Sequence, residues 1–262
     1  MKKISTIIKK EWAQVFKNRM VLFTVIFLPL LFTAMPLIIL SLMRNSGAGD
    51  LTSDMPAQFS NLCPQDMSGG ECFQVYLLTQ FVLLFMLMPL IIPVNIAAYS
   101  IVGEKTTHSL EPLLATPITT AELLTGKNLA AATPAILATW TGFLIFISGA
   151  SLIVSSPQVI RTLLEPMWLL AIGLVGPLLS VLAVNFSIMV SSRVNDPRVA
   201  EQLSALVILP ILALFFGQIS GLFFINRRII LLIAVALAVL DGIMIYLAVR
   251  LFQRETILTR WK

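Results

Sequence analysis

Reactive side chains are scarce in this 262-residue chain, so each can be asked what chemistry it would do. The sole histidine, His108, excludes a histidine-based metal cluster, and a Ser/His/Asp triad would have to recruit that one imidazole from a short polar segment. Gly126-Lys127 hints at a phosphate cradle. Such a loop needs a glycine five residues before that glycine and Ser or Thr after the lysine; here those places hold Ala121 and Asn128. ATP is not held by that motif, and energy for any work must come from a gradient or from another chain. Cys63 and Cys72 bracket CPQDMSGGEC, which lacks the two-residue spacing and partner ligands of a zinc site. In an outward loop they read as a disulfide worth ~2–3 kcal/mol, or as two free thiols. Asp241 is the one ionisable residue deep in an apolar run. A carboxylate there marks a proton or ion pathway by default; the alternative is a structural hydrogen bond to Asn95, Asn185, Gln218 or Thr141.

The elements that position these residues are set by composition. The chain is 58% hydrophobic and 12% charged, with a mean hydropathy of +0.93. No core of this size buries such an excess, so lipid must be the solvent for much of it. Windows of about 20 apolar residues suit spanning helices, and six occur: 20–43, 75–101, 129–154, 167–190, 203–224 and 229–251. The expectation is an all-α polytopic membrane protein. Residues 1–19 would form an N-terminal interfacial helix and 20–262 a six-helix domain, with an outer loop 44–74 and a large inner loop 102–128. No small-residue cleavage pattern follows the first apolar run. Pro89 and Pro93 predict a kink in the second span, and Pro210 a bend or break in the fifth.

Lys and Arg orient the chain. Both ends of a six-span protein lie on one side, and that side receives fourteen of the eighteen basic residues; Arg44, Arg161, Arg227 and Arg228 fall opposite. The termini are therefore expected in the cytoplasm, in a multi-pass cell-membrane protein. The net charge of +5 is a topology signal, not a nucleic-acid footprint. In MKKISTIIKKEWAQVFKNRM, apolar residues recur at helical spacing while Lys3, Lys10 and Lys17 recur every seven on another face. That is a basic amphipathic helix suited to membrane lipids, with Trp12 at headgroup depth.

Two inner segments carry helix signals. In GEKTTHSLEPLLATP, Ser109 caps a short helix, Glu111 favours its first turn, and Leu110, Leu113 and Leu114 form an apolar face ended by Pro117. Thr119-x-x-Glu122 is a capping box for the next helix. The leucine face wants a partner or tucks against the membrane surface. In SSRVNDPRVAEQLS, Asp196 before Pro197 signals a helix start.

With these residues in view, nearly the whole chain resembles the membrane subunit of an ATP-binding cassette exporter of the type-2 permease family. The similarity runs through Glu104-Lys105, Thr106-Thr107, Leu110-Glu111-Pro112-Leu113-Leu114-Ala115-Thr116-Pro117 and Gly126-Lys127. It continues from Ser192-Arg193 through Ala200-Glu201-Gln202, and in the tail Leu251-Phe252-Gln253-Arg254-Glu255 with Ile257-Leu258. The resemblance implies a coupling helix between spans two and three. Glu104, Lys105, Ser109, Leu110, Glu111, Leu113, Leu114, Thr116 and Pro117 would dock on a separate ATPase subunit, present in two copies. Arg193, Asp196, Arg198 and Glu201 would offer a second contact. It also implies a second permease protomer, the same chain or a sister, and ATP and Mg bound by the ATPase, with no cofactor held by this chain. Pro112 inside the coupling helix departs from the pattern. The family's re-entrant turn between spans five and six would have to be short here, around Gly217–Asn226. Rival readings are a secondary transporter using Asp241 and a membrane scaffold or sensor that recruits a cytoplasmic partner.

Overall fold

Backbone amides have no water to bond in a bilayer, so the apolar runs satisfy themselves as helices. The computed structural model describes residues 2–17, 19–46, 67–106 and 118–251. Its elements are α1 (Lys2–Val15), α2 (Arg19–Ser46), α3 (Gly69–Thr106), α4 (Thr120–Ile153), α5 (Pro157–Leu163), α6 (Pro166–Leu170), α7 (Gly176–Arg193), α8 (Pro197–Ser204), α9 (Leu209–Ile219) and α10 (Arg227–Leu251). No strand occurs among the described residues. Among the described residues six stretches are long and apolar enough to cross a membrane: Val21–Met43, Gly69–Glu104, Thr120–Ile153, Pro157–Arg193, Pro197–Ile219 and Arg227–Leu251.

Caps and prolines explain where helices begin and change pitch. Thr119 accepts from the Glu122 amide while the Glu122 carboxylate accepts from the Thr119 amide, so the expected capping box opens α4. Asp196 caps α8 by accepting from the Arg198 amide at 2.8 Å, with Pro197 as its first helical residue. A second box, Ser68-x-x-Glu71, starts α3 earlier than its apolar run does and outweighs two adjacent glycines. α3 remains helical through Pro89 and Pro93.

The pattern changes instead before Pro177 and Pro210. Pro177 has no N–H, and the backbone ahead of it widens into a π turn, Ala171–Val175, in which the Gly176 amide reaches Ala171. Pro210 likewise cannot bond the Leu206 carbonyl, so Leu209 bonds it in a 3₁₀ turn, Ala205–Ile208. Between α9 and α10 the chain reverses without a re-entrant helix: residues 220–226 form a turn in which Gly221 takes φ 73°. A short extra helix lies elsewhere, as α5, at the start of the fourth span, with Val159, Thr162 and Leu163 buried.

α3 is apolar on all sides and becomes the central helix. Leu78, Val82, Leu83, Phe85, Met88, Leu90, Ile92 and Val102 are fully buried along it. Phe85 meets Phe143, Phe146 and Trp168 with ring centroids 5.1–6.0 Å apart, tying α3, α4 and α6 together. α2, α9 and α10 turn Phe23, Ile38, Phe216, Leu232 and Val239 outward. Those side chains suit lipid and explain how so apolar a chain is accommodated.

Candidate functional site

The densest charge chemistry lies where α1 meets the end of α3 and the start of α4. Lys127, on the second turn of α4, is buried against opposite charge. Nζ lies 2.8 Å from Glu11 Oε1 on α1, 3.0 Å from Glu104 Oε2 on α3, and donates to Ser100 Oγ at 2.6 Å. Ser100 passes its own proton to Glu11 Oε2 at 2.8 Å. Lys10 reaches the other oxygen of Glu104 at 2.5 Å. Lys127, Glu11 and Glu104 keep only 3–4% side-chain exposure. Burial by itself would raise the Glu11 carboxyl; the Lys127 charge, the hydrogen bonds from Lys127 and Ser100, and Lys10 outweigh it and hold the group below its ordinary 4.5. Two lysines and two glutamates make the cluster neutral, which is the condition for burying it at all.

Local sequence accounts for the close approach. Ile7 sits over Gly126, where an added Cβ would come within 2.8 Å of Ile7 Cγ2. Trp12 Nε1 donates to the Ala130 carbonyl at 3.0 Å. That carbonyl is the one whose helical donor would be residue 134, a proline, so the indole replaces a missing N–H. Lys3 and Glu122 lie 3.7 Å apart. Contacts thus advance together along both helices: Lys3 with Glu122, Ile7 with Gly126, Glu11 with Lys127, Trp12 with Ala130. The apolar side of α1 is taken by α4, leaving Lys9 and Lys17 outward.

Of the expected docking residues, Glu104 is internal, inside the charge cluster, rather than on an exposed face. Lys105 continues α3, and Ser109, Leu110, Glu111, Leu113, Leu114, Thr116 and Pro117 lie outside the described residues. Arg193, Asp196 and Arg198 are exposed and Glu201 is half-buried. Arg193 ends α7 and Asp196 caps α8, which packs Ala200 against Ala98 and Val102 near the end of α3, while Ser191 Oγ donates to the Ala98 carbonyl. Glu104 and α8 therefore belong to the same end of the bundle.

The intramembrane polar candidates separate. Asn185 accepts from Asn128 at 3.0 Å and donates to Val181, joining α4 to α7. Gln218 Nε2 donates to the Thr79 carbonyl, joining α9 to α3, and Asn95 is half-buried on α3. Asp241 lies on the buried stripe Ile230, Ala234, Leu237, Asp241, Ala248 of α10. Both its carboxylate oxygens lack a hydrogen-bond partner among the described residues, so the expected structural hydrogen bond to Asn95, Asn185, Gln218 or Thr141 is not formed. Cys72 is disulfide-bonded; Cys63, the chain's other cysteine, lies outside the described residues.

The charge cluster escapes a reading of motifs because its partners are far apart in sequence. Its one local trace is Glu11 between Ile7 and Val15, a lone acid on the apolar side of a lysine-rich helix.

Six apolar spans among the described residues, with the largely buried α3 at their centre, define a multi-pass α-helical membrane protein. The pattern of the ABC-2 family transporter proteins matches residues 5–229, so the chain belongs to that family and is a membrane permease of ABC-type transport. Among curated proteins none matches the chain.

Proposed function

We propose that the chain is the membrane-spanning subunit of an ATP-binding cassette exporter and couples to a separate ATPase through residues 104–117. The observation that carries this is the conjunction of family membership with the α3–α4 junction. Glu104 and Lys127 clasp the two roots of that segment inside the protein, and α8 packs near the end of α3, with Arg193, Asp196 and Arg198 exposed around its start. A segment fastened at its base transmits a push instead of absorbing it. Leu110, Leu113 and Leu114 supply the apolar contact with the ATPase, flanked by Ser109, Glu111, Thr116 and Pro117. Lys105 and the residues of α8 supply polar contacts. Glu104 acts from within, as the anchor. The distribution of Lys and Arg puts this end and both termini in the cytoplasm of a cell-membrane protein. Two permease protomers and two ATPase subunits make the complex, with ATP and Mg bound by the ATPases.

The test is co-purification with the ATPase, followed by Leu113→Asp plus Leu114→Asp. The variant should fold and lose the ATPase. Retained assembly together with retained transport would remove residues 107–117 from the coupling role. The rival reading as a secondary transporter rests on Asp241, and transport that persists without any ATPase would favour it.

A further inference from the structure

Asp241 lies deep in the last span, and the described residues supply nothing to neutralise it. It is 5% exposed, and neither carboxylate oxygen has a hydrogen-bond partner among the described residues. We propose that Asp241 holds the positive charge of a lipophilic organic cation, and that cations of this class are the cargo. This deepens, and rests on, the reading of the chain as an exporter.

The countercharge does not come from the surrounding helices. α10 packs chiefly against α7, α6, the π turn and α4. The ionisable residues of those elements are Arg193, which ends α7, and Glu122 and Lys127 near the start of α4. Arg193 is exposed, and the Lys127 ammonium is already shared by Glu11 and Glu104. On α10 itself, Arg228 precedes Asp241 by thirteen positions and Arg250 follows by nine, about 20 Å and 14 Å along the helix. Arg250 lies over the Tyr246 ring instead. A charge buried alone is costly, so its partner is to be sought outside the chain.

The chemistry of the surroundings selects that partner. A metal ion needs several oxygen ligands, and no group of three His, Cys, Asp or Glu able to hold one occurs among the described residues. A lipid amine belongs at headgroup depth, away from the middle of a span. An organic cation needs one countercharge and apolar walls, and the buried stripe sets Ala234, Leu237 and Ala248 around Asp241. Access comes from one flank. At about 100° per residue, Ile245, Ala238 and Gly242 follow one another round the helix on the same side of Asp241, and all three are exposed. A Cβ added at Gly242 would meet no neighbouring atom within 4 Å, so the small residues leave a shallow apolar groove beside the carboxylate. Charge complementarity then names its occupant as a cation that is itself apolar.

The probe is tetraphenylphosphonium, whose charge is shielded by its phenyl rings. Equilibrium dialysis against the chain purified in dodecyl maltoside should show saturable binding. Tetraphenylborate, of the same shape and opposite charge, should not bind when measured separately. Asp241→Asn should weaken binding of the cation at least roughly thirtyfold, the low end for removing one partner of a buried charge pair. Asp241→Glu should keep most of it. Gly242→Leu should weaken binding with the charge still in place, by filling the groove. Asp241→Asn and Gly242→Leu should both melt no lower than the wild type, which separates loss of the site from loss of the fold. The proposal is overturned if the wild type does not bind the cation, if it binds the borate equally, or if Asp241→Asn binds as the wild type does. Spontaneous cross-linking of Gly242→Cys between two copies would give the groove to a second protomer and overturn it as well. For transport, inside-out vesicles holding the chain with the ATPase that accompanies it should accumulate the cation when ATP is added. Binding that depends on Asp241 without such accumulation sinks the exporter reading and the cargo with it, and keeps the site. Equal accumulation by the wild type and Asp241→Asn sinks the site and keeps the exporter.

Discussion

Proline at 134 leaves the Ala130 carbonyl without a helical donor, and the indole of Trp12 supplies one from α1. The same device recurs deeper in the bundle. In the π turn the Gly176 amide goes to Ala171, Pro177 has no N–H, and Trp140 Nε1 donates to the stranded Ile172 carbonyl at 3.2 Å. Trp12→Phe keeps an aromatic ring and deletes only the donor, so it should cost about 1–2 kcal/mol for the unsatisfied carbonyl. Adding Pro134→Ala returns a backbone N–H to Ala130, and the loss from Trp12→Phe should then shrink. Thermal unfolding of the four proteins in detergent measures this, and equal losses in the two backgrounds would disprove the pairing of Trp12 with Pro134. Asp241 is the opposite case, a buried carboxylate whose oxygens have no hydrogen-bond partner among the described residues. Asp241→Leu should therefore raise stability by about 2 kcal/mol, and Asp241→Asn should leave assembly intact. Transport lost in a stabilised variant would give the carboxyl a functional role; transport unchanged would leave it none.

At the scale of elements, α1 is held by a carboxylate whose pKa is depressed, and the sign of its pH dependence follows. A depressed folded value means that Glu11 contributes to docking fully above the ordinary 4.5 and stops contributing as pH falls through its lower folded value. Docking of α1 should be flat from pH 8 to 5 and weaken only below about 4.5. Hydrogen exchange of the α1 amides reads this out, and opening near pH 6 would contradict the pairing. Gly126→Val should undock α1 at every pH, since its side chain claims the space of Ile7; overpacking of this kind costs about 1–3 kcal/mol. The spans were legible because 20-residue apolar runs have one solution in lipid, and the α4 and α8 starts because Thr119, Glu122 and Asp196 act on amides two or three residues away. The α3 start was readable in Ser68-x-x-Glu71 but was masked by the weaker apolarity of residues 69–74. The Lys127 cluster was not readable. Its bonds join residues 27, 89, 94 and 116 positions apart, and only packing brings them together. The same holds for Glu104, whose neighbours in sequence suggest a surface and whose neighbours in space do not.

For the whole molecule, α3 spans from the disulfide end to the charged junction, so the two ends can be perturbed separately. At its start, Cys72 is disulfide-bonded and packs with Met43, Phe73 and Tyr76. Glu104, near the other end, lies 32 helical positions away, or about 48 Å at 1.5 Å per residue. A disulfide acts chiefly by restricting the unfolded chain, so its effect should be global on stability and nil on local geometry at the junction. Cys72→Ser should accordingly lower stability by ~2–3 kcal/mol, and reduction of the wild type should lower the melting temperature in step. Neither should change ATPase binding, because the stretch between them, from Leu78 to Val102, is mostly buried and closely packed and has little slack to pass on a change at its far end. Melting curves and co-purification of Cys72→Ser check both halves. Loss of the ATPase at unchanged melting temperature would mean that the two ends communicate through α3, and the junction would no longer be a self-contained unit.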